Sequence, residues 1–545
     1  MKKLSSVLLI LILGLALFLR IFKLAEFPVG LNADEAAIGY NAYSLLQTGK
    51  DEFGHPWPIN FQSFNDFKPG LYFYLVLPWV KVLGLTEWAV RLPSAILGAL
   101  TVSVVFFLVK ELFGPTEKGK NLGLVAALLL AISPWHLHFS RGGWETNAAT
   151  FFMTAGALFL FKALKKPKFY LLAVFLLLAA MFTYHSSRVI VPLLGLGWLF
   201  LNWPKIWIKR NWLWLSGAAI SGIFLLGLLL WSMSGQAGSS RFAGVGLLAD
   251  SGPLWRANEL RGQHRSSLIL AKIIHNQYLE YGAQFLDNYW KHFSGTFLFV
   301  SGDEIQRNRV PGMGQMYLIE APFLILGLCF LLKRKPENWR FLFWWLMVAP
   351  IASALTFQSP HAIRSLNLVI PLSVMTAFGF WEFGQWLGKK PFRLIVVGLM
   401  TILYFLNFGF YLRQYYVRYS QLYPAAWEDG FKQLGEYLVK NQENFEKIYI
   451  TNRYDQPYIL LAFYLKYPPV EFQKEAKLSL RDRYGFSTVE HFDRFYFAPI
   501  DWSRLQKVAG IMIVGTTEEV PDSAKIAKRI YFKDGRQEAF RIVEN

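Results

Sequence analysis

Two adjacent carboxylates, Asp34 and Glu35, follow shortly after the apolar run Leu4 to Phe22 in a chain that is 54% hydrophobic. Carboxylates are costly near hydrocarbon and persist there with a partner or a task, so the pair reads as chemistry at a membrane surface rather than as a solvated loop. The stretch that follows adds Asp66, Lys68 and Arg91. Carboxylates and fixed cations together suit one kind of reaction, in which a carboxylate takes the proton of an acceptor hydroxyl while Lys or Arg neutralises a phosphate as it leaves. A phosphate carried by a lipid lies at headgroup level, where such a mixture of residues is expected.

The elements that must hold these residues are membrane helices. The 545 residues are 17% aromatic with a mean hydropathy of +0.29, which predicts a polytopic α-helical membrane protein. The net charge of +19 concentrates in short loops between apolar runs, so the positive-inside rule accounts for it and a nucleic-acid partner is not needed. About eleven apolar runs approach transmembrane length, from Leu4 to Phe22 through Phe392 to Leu412.

The segment Leu71 to Leu85 is apolar but short, and it carries Pro78 and Lys81. If it crossed, the basic loops around Lys118, Lys165, Lys205, Arg334 and Lys390 would all move to the outer face. It is therefore expected to be an interfacial or re-entrant helix within a long first external loop, Ala25 to Val90. The same parity puts the N-terminus in the cytoplasm of a plasma or inner membrane protein, and the run to Phe22, long and with no small-residue cleavage site before the Arg20 to Lys23 flank, is expected to be a retained anchor. The turn Ser140 to Thr146, the loop Ser234 to Met316 and everything after Arg413 then face outward.

Residues 1–412 form the expected transmembrane catalytic domain and residues 413–545 a small external α/β domain. In the latter, a helix is expected over Ala425 to Lys440, strands over Lys447 to Thr451 and Ile511 to Gly515, and a hairpin over Tyr531 to Ile542. The loop Ser234 to Met316 opens with Gly/Ser-rich sequence, continues with a helix-like stretch from Ser267 to His292, and is long enough for a substrate lid.

Three more arginines stand at expected external ends of spans: Arg141, Arg188 and Arg364. Each suits bidentate phosphate recognition or, equally, snorkelling to headgroups. Glu145 and Asn147 either contact sugar hydroxyls or cap the span that follows. His361, with His136, His138 and His185, is expected as hydrogen-bonding lining rather than as a metal ligand, because no ligand spacing such as HExxH is present. The only cysteine, Cys329, excludes an internal disulfide.

The stretches ADEAAIGYNAYSLLQTG (Ala33 to Gly49), FNDFKPGLYFYL (Phe64 to Leu75) and EWAVRLPSAILGALTV (Glu87 to Val102), taken in this order, resemble the opening of the GT-C glycosyltransferases. The resemblance is to the branch that contains protein O-mannosyltransferases and the lipid A aminoarabinose transferase. In that family a DE pair in the first external loop supplies the catalytic carboxylate, a KPP-type motif brings a lysine to the lipid phosphate, and RLPSA opens the second span. Carried over by position, Asp34 is the implied base with Glu35 in support, and Lys68 is the implied phosphate ligand.

Two departures stand out: the KPP motif reads Lys68-Pro69-Gly70, and Ala37 stands where the aminoarabinose transferases have an arginine. Phosphate binding is therefore expected to draw on Arg91, Arg141 or Arg364, with Asp66 displaced one position from the carboxylate that usually precedes the lysine.

The expected function is inverting transfer of a sugar from a polyprenyl-phosphate donor to a protein, lipid or polysaccharide hydroxyl on the extracytoplasmic face. No nucleotide cofactor is expected there, and a divalent cation at Asp34 and Glu35 stays open, since oligosaccharyltransferase relatives of the broader fold hold one. The rival readings are a flippase for lipid-linked sugars and a nonenzymatic membrane scaffold that presents the C-terminal domain.

Overall fold

The computed structural model describes residues 2–64, 66–208, 211–234, 244–263, 268–388, 390–480 and 487–545. The chain is mostly helical. Among the described residues, seven helices are long and apolar enough to cross a membrane, and the bent pair Glu117–Ile132 and Pro134–Ser140, which meet at 58°, makes an eighth if counted as one span. Phe169–Thr183 and Trp339–Ala354 are apolar but shorter, and the expected run from Tyr317 to Leu332 forms a helix of only 15 residues, Glu320–Arg334; these three separate the expected eleven from the observed eight.

Two compact units organise the chain. One comprises Met1–Ala16, Ala99–Leu137 and Ala149–Phe408; the other comprises Leu17–Gly98, His138–Ala148 and Gly409–Asn545. In the first unit the loop expected as a lid carries helices Gly252–Gln263, Leu268–Ile274 and Gln277–Lys291. The single helix-like stretch of the sequence is thus broken at Asn276, whose side chain accepts from Leu279 N as the N-cap of the last helix. Most of the Gly/Ser-rich opening of that loop lies outside the described residues.

The second unit holds the long first loop together with the C-terminal domain. After α1 (Lys2–Ile21), helix α2 (Ala33–Thr48) leads to the hairpin β1 (Asn60–Ser63) and β2 (Asp66–Pro69), paired antiparallel with Phe61 opposite Lys68. Helix α3 (Leu71–Leu83) has 13 residues, about 20 Å at 1.5 Å per residue, too short to cross a hydrocarbon core of about 30 Å unaided. Helix α4 (Glu87–Phe113) follows and is long enough to span.

The C-terminal segment forms a mixed seven-stranded sheet from β3 (Lys447–Ile450), β4 (Lys477–Leu478), β5 (Val489–Phe492), β6 (Phe495–Phe497), β7 (Ile511–Gly515), β8 (Ile526–Tyr531) and β9 (Glu538–Glu544), in the order β4-β5-β6-β3-β7-β9-β8. β3 runs parallel to both β6 and β7, and the other pairings are antiparallel. β7 is buried along its whole length, as a continuous apolar run in a covered strand should be. The expected hairpin forms between β8 and β9, and the Asp534 carboxylate accepts from Arg536 N and Gln537 N in its turn.

The expected helix over Ala425 to Lys440 begins later, at Phe431. Glu428 and Gly430 take positive φ values of 45° and 104°, which an α-helix cannot accommodate. From there Phe431, Leu434 and Leu438 bury one face, the i, i+3, i+7 stripe of an amphipathic helix.

Candidate active site

Helix α2 starts at the residues that open the site. Asn32 is its N-cap: the side chain accepts from Glu35 N at 3.0 Å, and Glu35 Oε2 accepts back from Asn32 N at 3.4 Å. This capping box satisfies two of the orphaned donors of a helix N-terminus. Its signal, Asn32-x-x-Glu35, was available in the sequence beside the DE pair itself.

The two carboxylates then diverge. Glu35 is wholly buried and meets Arg91 in a bidentate pair, Nε to Oε1 at 2.9 Å and Nη2 to Oε2 at 3.0 Å, the planar match that guanidinium and carboxylate favour. Gly143 N donates to Glu35 Oε1 at 2.7 Å. Asp34 sits one residue back on the rim of the helix, 34% exposed, with Lys68 Nζ of β2 as its ion-pair partner. The Lys68 side chain is 7% exposed, and its ammonium lies 4.7 Å from the centre of the Phe64 ring, a cation–π contact that helps hold a charge out of water.

Backbone packing brings Lys68 to this place. Gly70 N donates to Ile59 O at 2.9 Å, and a Cβ at Gly70 would stand 2.5 Å from that oxygen and 2.8 Å from the Phe61 ring. The glycine that departs from the KPP pattern is therefore what this hairpin requires. Gly143 is constrained likewise, since a Cβ there would lie 2.8 Å from Val90 Cγ1 and 3.3 Å from Glu35 Cγ. Gly143→Ala is expected to push Glu35 off its N–H donor and to lower stability by about 1–3 kcal/mol, read as a lower melting temperature of the purified protein.

Arg91 and Arg141 stand differently from the phosphate ligands expected of them. Both are fully buried. Besides Glu35, Arg91 donates through Nη1 to the carbonyls of Leu24 and Pro28 and through Nη2 to that of Gly30, so all five of its N–H groups are engaged. Arg141 donates to the carbonyls of Leu19, Phe22, Lys23 and Phe27 and to the Tyr415 hydroxyl. The physical reason is the last turn of α1, whose carbonyls have no partner within the helix, and the irregular chain between α1 and α2, whose buried carbonyls must likewise find donors. Sequence reasoning did not see this, because an arginine at a span end carries no mark of which acceptors surround it.

Asp66 is buried on β2 and accepts from Phe67 N at 2.9 Å. Glu145, also buried, is the first residue of the helix Glu145–Lys165, where the helix dipole favours an anion. Asn147 donates to Ser94 O at 2.8 Å and accepts from the Ser140 hydroxyl at 3.3 Å, a structural tie.

Arg188, His361 and Arg364 lie in the other compact unit. Arg364 donates to the Thr356 hydroxyl at 2.7 Å and, with His185 and Tyr184, lines a cavity of about 110 Å³. Arg188 donates to Met181 O at 3.3 Å. His361 N approaches His292 Nε2 at 3.3 Å and its ring lies 3.8 Å from Asp303; burial holds His292 down at about 4.

A divalent cation shared by Asp34 and Glu35 would have to displace the Arg91 guanidinium from Glu35. Among the described residues no group of three or more His, Cys, Asp or Glu side chains is placed to hold a metal ion.

The architecture matches that of ArnT from Cupriavidus metallidurans in the apo state with a TM-score of 0.56, covering 99% of this chain and 98% of that one at 11% identity. The chain has the GT-C glycosyltransferase fold. The same protein bound to undecaprenyl phosphate matches at a TM-score of 0.51, and the archaeal oligosaccharyltransferase AglB from Archaeoglobus fulgidus, in complex with an inhibitory peptide and a dolichol-phosphate, at 0.52 and 13% identity over 85% of this chain and 64% of AglB.

Residues 68–231 match the family model for dolichyl-phosphate-mannose-protein mannosyltransferase. A curated relative, the Bacillus subtilis protein YycA, whose name assigns it provisionally to the mannosyltransferases, is 24% identical over 175 residues, 32% of this chain and 24% of its own length. The match thus spans about a quarter of that relative. The family-model match opens at Lys68 itself, and the GT-C fold agrees with what the three ordered motifs imply.

Proposed function

We propose that this protein is an integral membrane glycosyltransferase that moves a sugar from a polyprenyl-phosphate donor to an acceptor hydroxyl on the extracytoplasmic face, with inversion at the anomeric carbon. The carrying observation is the pair formed by partly exposed Asp34 and nearly buried Lys68. One is a carboxylate able to meet a hydroxyl, and the other is a cation that burial makes strong.

In the resting state each neutralises the other. Arrival of the donor phosphate gives Lys68 a second anion, and Lys68 turning to it releases Asp34. Asp34 then takes the proton of the acceptor hydroxyl as its oxygen bonds to the anomeric carbon. The bond from that carbon to the phosphate oxygen breaks, and the electron pair leaves with polyprenyl phosphate, whose charge Lys68 balances. Glu35 and Arg91 act at one remove by fixing the first turn of α2. The GT-C neighbours bound to undecaprenyl phosphate and dolichol-phosphate support a lipid-linked donor, and the motif pattern supports the outward face and inversion.

The test is glycoside formation in proteoliposomes supplied with a labelled polyprenyl-phosphate sugar and a mixture of cell-envelope acceptors. Release of polyprenyl phosphate together with a new glycoside supports the reading, whereas movement of intact donor across the bilayer with no glycoside overturns it in favour of a flippase. Lys68→Gln is expected to raise the donor KM about 10- to 100-fold, the worth of one charge-assisted hydrogen bond.

A further inference from the structure

The loop expected as a lid contains a helix whose surface divides three ways. In Gln277–Lys291 one face is tied to the protein. The Tyr281 hydroxyl donates to Asp250 O at 2.8 Å, Asn288 Nδ2 donates to Ala354 O at 3.3 Å and Thr356 O at 3.0 Å, and the Tyr289 hydroxyl donates to Met347 O at 2.7 Å. A second face carries Leu279, Leu286 and Trp290, with Tyr278 at its edge; all four are more than half exposed, Tyr278 by 78%. A third carries Asp287 and Lys291, both partly exposed and paired with each other at 2.6 Å.

A surface helix of a protein in water needs two faces, one apolar and inward, the other polar and outward. This one has an extra apolar face turned away from the described residues. The helix before it, Leu268–Ile274, repeats the feature: Ile269 and Ile273, one turn apart, are exposed while Ala271 between them is buried. A helix that meets protein, hydrocarbon and water along its length is what the headgroup region beside a membrane-spanning core demands.

The surroundings select lipid as the occupant. The carbonyls of Met347, Ala354 and Thr356 that hold Gln277–Lys291 belong to the apolar helix Trp339–Ala354 or follow it directly, so the helix is pinned against the end of a membrane helix. The chain also enters this loop from a helix long and apolar enough to span, Trp212–Ser232. Tyr278 and Trp290 on the exposed apolar face are the aromatic types that favour the boundary between headgroups and acyl chains.

We propose that Leu268–Ile274 and Gln277–Lys291 lie in the lipid headgroup region, with Tyr278, Leu279, Leu286 and Trp290 turned into the acyl boundary, so that the partner of this surface is the bilayer itself. The assignment does not depend on the donor chemistry. A lid built this way moves along the membrane surface, because lifting it into water would expose these four apolar side chains again.

The test uses full-length protein in phosphatidylcholine nanodiscs, with Cys329→Ala removing the native thiol so that one introduced cysteine carries a nitrobenzoxadiazole label. Leu286→Cys and Asp287→Cys set the label at nearly the same point along the helix but about 100° apart around it. With a nitroxide on the lipid acyl chain near the headgroup, emission from Leu286→Cys is expected to fall about twofold and that from Asp287→Cys to change little, while aqueous iodide quenches in the reverse order. Little lipid quenching at either position overturns the proposal, and so does equal quenching at both. A label at Leu286→Cys shielded from lipid and iodide alike shows that a second copy or another protein covers the face, which overturns it too.

Hydroxyl-radical labelling of the wild-type protein in the same nanodiscs needs no substitution. Tyr278 is expected to be oxidised about fivefold less than Tyr531 of the C-terminal sheet, although its side chain is the more exposed of the two. Oxidation of Tyr278 above that of Tyr531 places the face in water and sinks the lipid assignment.

Discussion

Asp34→Asn is expected to lower the turnover of glycosyl transfer by about 10²- to 10⁴-fold, the range a positioned general base contributes. The substitution is nearly isosteric and leaves an amide oxygen toward Lys68, so the hairpin and α2 should keep their places. What disappears is the lone pair that can accept the acceptor's proton at neutral pH. The same change removes the anion that competes with phosphate for Lys68. Donor binding is accordingly expected to hold or tighten while kcat collapses, a split that separates loss of a base from loss of a binding site. The measurement is kcat and donor KM with a labelled polyprenyl-phosphate sugar, beside the melting temperature of the same preparation. Wild-type turnover in Asp34→Asn would remove Asp34 from the chemistry. A matching drop in donor affinity would make it a donor ligand instead.

The pair of carboxylates was legible in the sequence because their cost near a membrane marks them, and Lys68 because it shares their loop. Which of the two carboxylates is available was not legible from composition or spacing. That distinction comes from Gly143 N and Arg91 converging on Glu35, donors brought from residues distant in sequence. The motif resemblance preferred Asp34 on other grounds, and the exposure of its side chain favours the same residue.

The arginines show the opposite case. Their charge and span-end placement suggested phosphate, whereas Arg91 and Arg141 meet carbonyls of the last turn of α1 and of the irregular chain that follows it as far as Gly30. Irregular backbone announces itself in sequence only by the absence of a period, so the need for donors there is invisible until the chain is folded. In the C-terminal domain the strands β3 and β7 were readable from short apolar runs. The start of the helix at Phe431 was not, since it depends on positive φ at Glu428, a residue type that does not advertise it.

Arg91→Ala is expected to destabilise the fold by about 3–5 kcal/mol, the usual result of removing one partner of a buried ion pair. The guanidinium leaves behind the Glu35 carboxylate, buried and short of its strongest partner, and the carbonyls of Leu24, Pro28 and Gly30. It also leaves the space beside the Trp427 ring, which lies 5.8 Å from the guanidinium carbon. Arg91→Lys should recover only part of the loss, because an ammonium has three donors where the site offers five acceptor contacts and no fork to match the carboxylate. The double variant Arg91→Ala with Glu35→Ala separates two descriptions of this residue. If Arg91 served the ion pair alone, deleting both charges would restore most of the stability. Because three backbone carbonyls depend on the same guanidinium, the double variant is expected to remain well below wild type, while costing less than the sum of the two single changes. Thermal unfolding of the four proteins in one detergent measures that cycle. Full recovery in the double variant would show that water takes over the carbonyls. A persistent deficit makes Arg91 the clamp that shapes the chain entering α2, and so the residue that decides where Asp34 stands.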